Sequence, residues 1–146
     1  MTDPLNFSGI DLVDIRDRLR GLSFFQVVED IQSAAQIIDG DISFNPPAAF
    51  VMTESESFEK NRYAAGGHAQ RANVVISVLY CIPTQRAAND LSDEVEQAKR
   101  AIRELLRGWT PKGAQIALEA FRWRVRLIGD GVVWCEWLFR TSYDAN

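Results

Sequence analysis

The residues with the most chemical potential in this chain are the three arginines of FRWRVRL, residues 121–127, where Arg122, Arg124 and Arg126 alternate with apolar side chains. Two-residue spacing along an extended strand sets their guanidinium groups on one face about 7 Å apart. Such a ladder can grip nucleic-acid phosphates, an acidic ligand, or carboxylates of another protein subunit. Downstream, Trp134 and Glu136 in VVWCEWLF offer a cation–π partner for one arginine and a counter-charge for another. One carboxylate cannot neutralise three cations, so positive charge is left over. A solvated surface ladder is the plain alternative, but arginine beside a tryptophan on a wet face is the residue mix of protein interfaces.

The other reactive side chains do not converge. His68 is the only histidine and sits in AAGGHAQR, so a Ser/His/Asp or Cys/His device would rest on one residue. The adjacent glycines fit neither G-x-x-x-x-G-K-[ST] nor G-x-G-x-x-G. Cys81 and Cys135 lie in separate apolar runs, which predicts buried thiols rather than a disulfide or a zinc site. Asp90, Asp93 and Glu94 crowd a helix start, where the helix dipole accounts for them without acid–base work. No catalytic, cofactor or metal set is expected. A small ligand-binding or enzymatic α+β domain with a cleft near His68 stays open as the alternative.

Charge and length narrow the classes further. With 146 residues, 47% of them apolar, the chain fills one core, and a single domain over residues 1–146 is expected. Sixteen Lys and Arg against 20 Asp and Glu, a net charge of −4, argue against a nucleic-acid footprint, and lysine is scarce: Lys60, Lys99 and Lys112 only. No apolar run approaches the roughly 18 residues of a membrane span, and the first residues lack the basic flank of a secretory signal.

Around the arginines, the pattern predicts the elements that must hold them. Leu12, Ile15 and Leu19 recur at helical spacing within residues 8–21, with Ser8 as a cap and Gly21 as a left-handed stop. A strand at 24–28, a weak helix over 31–38 and a strand at 48–53 follow, the last entered through Asn45, Pro46 and Pro47. Residues 54–73, ESESFEKNRYAAGGHAQRAN, lack apolar periodicity and are expected to form a long mobile loop. NVVISVLYCIP is apolar on both faces, which predicts a central strand. Leu91, Val95, Ala98, Ile102 and Leu105 define the strongest helix, stopped at Gly108, with Trp109 packed back on the core. Two strands, 121–128 and 132–143, then form a hairpin through Gly129, Asp130 and Gly131. Keeping the apolar parities together pairs Trp123 with Trp137, Phe121 with Phe139, Arg124 with Glu136 and Arg126 with Trp134.

The pattern PPAAFVM, a polar stretch, ANVVISVLYCI, a helix ending LLRGWTPKGA and a hairpin finishing GVVWCEWLFRTSY resembles the tail terminator, or tail completion, proteins of tailed phages and prophages, particularly those of Mu-like type. The similarity runs over roughly residues 24–143, and RGWTP is its sharpest piece. The resemblance implies an α+β fold, with an antiparallel or mixed sheet flanked by helices. It also implies a homohexameric ring that caps the finished tail tube and offers a docking surface to the head or its connector, without catalysis. Its partners would be copies of itself, the tail tube protein and a head–tail connector protein, in a virion tail assembled in the bacterial host cytoplasm. A ring needs heterologous contacts. The resemblance supplies no set of functional residues; from the residues themselves, Arg122, Arg124, Arg126, Trp134 and Glu136 and the loop residues Glu56, Glu59, Lys60, Arg62 and Arg71 are the expected subunit or tube interface, with the acids of residues 54–59 available to the surplus arginines. The loop would order when it meets the tube.

Overall fold

Apolar residues stepping by three and four make residues 91–105 an amphipathic helix, and in the computed structural model α3 (Ala88–Leu106) buries Ala98, Ile102 and Leu106 against a sheet. The structure describes residues 9–38, 40, 44–61, 70–84, 88–129 and 131–145. Gly108 ends the helix as its sequence position implied: its φ of 82° is left-handed, and its N–H donates to the Leu118 carbonyl at 2.9 Å. Trp109 returns its N–H to Leu106 and packs against the core, with the Arg18 guanidinium 4.7 Å above its ring. The RGWTP stretch is thus the joint that turns the chain from helix to sheet.

The opening helix α1 (Leu12–Leu19) buries Ile15 and Leu19 beside α3. Its cap is Asp11, whose carboxylate accepts from the Val13 N–H at 3.0 Å; Ser8 lies outside the described residues. The expected left-handed stop at Gly21 does not form. The helix ends one residue earlier, at Arg20, in helical conformation, with its N–H bonded to Arg16.

Five strands follow: β1 (Val27–Asp30), β2 (Ala48–Phe58), β3 (Gln70–Pro83), β4 (Glu119–Gly129) and β5 (Val132–Ala145), with a short helix α2 (Ala35–Ile38) between β1 and β2. They form one mixed sheet in the order β1-β2-β3-β5-β4, with β1 parallel to β2 and every other pair antiparallel. This is an α+β fold with helices against a mixed sheet. The central strand β3 is buried on both faces, as its two-sided apolar pattern requires. Val74, Ile76, Val78 and Tyr80 meet α1 and α3 on one face, while Leu79 and Cys81 join Phe50, Met52 and Ile31 in a smaller cluster on the other.

Of the stretch expected as a loop over 54–73, residues 54–58 and 70–73 are strand. β2 continues through Phe58 and β3 starts at Gln70, with Ser55, Glu56, Ser57 and Phe58 paired to Val75, Val74, Asn73 and Ala72. Side-chain periodicity gave no sign of this, because every residue of β2 from 53 to 58 is exposed. Main-chain hydrogen bonding to β3 holds the extension in place of burial. Between the strands, residues 62–69, including Arg62 and His68, lie outside the described residues.

Candidate subunit interface

β4 carries the arginine ladder and is the last strand of the sheet, so one of its edges meets no described strand. It pairs with β5 as expected at two positions, Trp123 with Trp137 and Arg124 with Glu136. Two irregularities, between Ala120 and Arg122 and between Val125 and Leu127, change the rest. Phe139 faces Ala120 rather than Phe121, and Trp134 faces Leu127 rather than Arg126. Each extra residue moves its neighbours to the other face. Phe121 accordingly leaves the helix-covered face and lies 4.1 Å from the Arg140 guanidinium.

On the helix face, the sequence pairing of tryptophans becomes a locked polar seam. Trp123 donates Nε1–H to the Tyr80 hydroxyl at 3.0 Å, and Trp137 donates to the Lys99 carbonyl at 2.9 Å. The Lys99 ammonium sits 4.3 Å from the Trp123 ring. Burial raises the Tyr80 hydroxyl well above its ordinary value. Burial likewise pushes the Cys81 and Cys135 thiols up to about 11. Among the described residues no group of three or more His, Cys, Asp or Glu side chains is placed to hold a metal. No described helix is long and apolar enough to cross a membrane.

On the opposite face the arginines divide. Glu136 is fully buried and accepts from Ser77 Oγ at 2.7 Å and from Arg124 Nε at 2.8 Å. Arg126 stands farther off, Nη1 3.6 Å from the same carboxylate. Arg122 is exposed and makes no ion pair among the described residues. Arg124 therefore neutralises a buried carboxylate of its own chain, whereas Arg122 and most of the charge of Arg126 remain at the surface. The expected cation–π contact of Arg126 with Trp134 is also replaced. Trp134 is half-buried, its ring packed on Phe44 and Phe50 at centroid distances of 5.7 and 6.1 Å. Distant segments thus enclose it, and no feature of its own strand signals this. The ring forms one wall of an open groove of about 830 Å³, lined also by Ile37, Phe44, Leu127 and Val132, with Arg126 at the rim.

The predicted acidic half lies elsewhere on the sheet. Glu56 accepts a hydrogen bond from the Tyr143 hydroxyl; burial first, then this carboxylate, raises Tyr143 to about 12. Glu59 accepts from Asn73 Nδ2 at 3.2 Å, and its N–H donates to the Arg71 carbonyl at 2.8 Å. Lys60 is exposed, and Arg71 lies in β3 opposite Asp144. The arginines and these acids occupy opposite sides of one sheet, so within a subunit they do not meet. Sequence reasoning missed the exposed apolar residues of β4. Val125, Leu127 and Ile128 are 46, 58 and 70% exposed. Their alternation had placed Val125 and Leu127 in the core, but the irregularity between them turns Leu127 to the Trp134 face, and Val125 stays open on the other.

Comparison with known proteins adds the following. A family model described as phage tail terminator protein matches residues 6–146. No curated protein matches the chain. Among solved structures, a chain of the virion of a native gene transfer agent particle is similar in fold at TM-score 0.55 and 15% identity, covering 94% of this chain and 96% of that one. A second solved chain, 16% identical, reaches TM-score 0.45 over 92% of this chain and 89% of its own length.

Proposed function

The chain belongs to the phage tail terminator family and is a structural protein of a phage tail; from that premise we propose that it closes the finished tail tube as a homohexameric ring. The ring stops tube polymerisation and presents the surface on which the head or its connector docks. Copies of the chain, the tail tube protein and a head–tail connector protein are its partners, brought together in the bacterial host cytoplasm and retained in the virion. No bond is made or broken; the work is recognition and closure.

One observation carries this reading: a chain of net charge −4 leaves Arg122 and Arg126 at the surface of an outer strand whose Val125, Leu127 and Ile128 are also exposed. An apolar patch bordered by Arg122, which makes no ion pair among the described residues, and Arg126, 3.6 Å from a carboxylate it shares with Arg124, matches a protein interface better than a solvated face. The arginines need carboxylates from outside the subunit, and Glu54, Glu56 and Glu59 are exposed on the far side of the sheet. A patch that meets a different patch on the next copy generates a closed ring when the rotation closes.

The test is native mass spectrometry and negative-stain imaging of the full chain across concentration, with and without tail tubes. Six-membered rings, or tubes capped at one end, are the expected result. Arg122→Glu should weaken assembly while leaving thermal unfolding in place. A wild-type chain that stays monomeric at every concentration and never associates with tubes overturns the proposal.

A further inference from the structure

The sheet has a second free edge. β1 covers β2 only from Ala48 to Val51, so beyond Val51 one side of β2 meets no strand among the described residues. That half carries Thr53, Glu54, Ser55, Glu56, Ser57 and Phe58, all exposed. The sheet therefore ends in two open main-chain edges, β4 on one side and the outer half of β2 on the other. An unpaired strand edge is a template for another strand.

The two edges are opposite in charge. The β2 edge bears Glu54 and Glu56, with Glu59 and then Lys60 just past its end. The β4 edge bears Arg122, Arg126 and Arg124, the last held by the buried Glu136 of β5, and one carboxylate of its own, Glu119, which lies opposite Arg140. By net charge two β4 edges repel each other, as do two β2 edges, while a β4 edge attracts a β2 edge. Strand direction agrees. Three antiparallel steps separate β2 from β4, so they run in opposite directions. A neighbour laid alongside with the same face outward then brings its β2 antiparallel to β4. Lengths agree as well: β4 is regular between its two irregularities over residues 122–125, β2 beyond its own irregularity is regular over residues 55–58, and keeping each face continuous aligns 122–124 with 55–57.

We propose that residues 122–124 of one copy pair main chain to main chain with residues 55–57 of the next, Arg122 beside Ser57 and Arg124 beside Ser55, so that a single antiparallel sheet continues from subunit to subunit. This inference rests on the ring reading above and specifies its contact. It is strand addition between unlike edges of one chain. The charged side chains select the partner edge; the main-chain bonds hold it.

The test is amide hydrogen exchange, read by mass spectrometry on the full chain in its assembled form and after dilution to monomer. Peptides covering residues 53–58 and 119–129 should both exchange at least about tenfold more slowly in the assembly, because newly bonded amides open only with the interface. Peptides from the buried strand β3 should not change. If rings form and either edge exchanges as fast as in the monomer, the strand pairing is wrong and the ring reading survives. If the chain forms no assembly alone or on tubes, both fail together.

Discussion

The pair Arg124–Glu136 decides which arginine belongs to the fold and which to the interface. Glu136 is wholly buried and has three partners: Ser77, Arg124 at 2.8 Å and Arg126 at 3.6 Å. Arg124→Met leaves a buried carboxylate with one hydroxyl and one distant guanidinium. Removing one partner of a buried ion pair costs about 3–5 kcal/mol. Here the loss belongs at about 3, the low end of that range, because Arg126 can close part of the gap and Arg124 itself keeps 32% of its side chain exposed. With a urea dependence of about 1.5–2 kcal/mol/M, the unfolding midpoint should fall by about 1.5–2 M. Arg126→Met should cost less than about 1 kcal/mol and Arg122→Met close to none. Combining Arg124→Met with Glu136→Leu should recover much of the loss, since the buried charge disappears with its partner. Equal midpoints for Arg122→Met and Arg124→Met, or a double variant as damaged as the sum of its parts, would refute the assignment of Arg124 to the fold.

Three other outcomes follow from the same geometry. Trp134→Ala should destabilise the chain by about 2–3 kcal/mol in urea unfolding, below the full core cost because the ring is half-buried, whereas Ile128→Ser should leave unfolding unchanged. A Cβ at Gly113 would lie 2.2 Å from the Gly9 carbonyl oxygen at a φ of +91°, so Gly113→Ala should lower the melting temperature by several degrees, about 2–4 °C per kcal/mol lost. Cys81 and Cys135 titrate near 11 when folded against an ordinary value of 9.0. Above about pH 9 the unfolded chain sheds protons that the folded chain keeps, so stability should be level below that pH and fall as pH rises toward 11; replacing both thiols by alanine should flatten the curve between about pH 9 and 10, above which the raised Tyr80 and Tyr143 hydroxyls lower stability as well.

Much of this fold is legible in the sequence, because burial leaves a periodic trace. The three-and-four step of Leu91, Val95, Ala98 and Ile102 makes α3 a one-sided helix. The two-sided apolar run at 74–82 makes β3 central, and a left-handed glycine after Leu106 and Arg107 stops the helix where Gly108 stands. The even sum of paired residue numbers at Trp123–Trp137 and Arg124–Glu136 meets the need to keep guanidinium groups out of the core, but the irregularity between Val125 and Leu127 sets it: next to the turn Gly129 pairs with Val132 and Ile128 with Val133, an odd sum. Site residues were legible as chemistry, a row of cations beside a ring and an acid, but not as roles.

Those roles came from tertiary contacts that have no local signature. An inserted strand residue changes which face its neighbours occupy without changing their types, so Phe121 and Leu127 keep a core-like pattern while lying elsewhere. The strand at 55–58 exists because β3 offers hydrogen-bonding partners, and a main-chain bond reads no side chain. Glu136 and Trp134 are enclosed by residues far away in the chain, Ser77 and Phe44 among them. Periodicity placed most of the elements, and motifs such as RGWTP carried the resemblance to a tail protein; only packing decided which charges are spent inside the subunit and which remain for a neighbour, because pairing depends on distance in space and not along the chain.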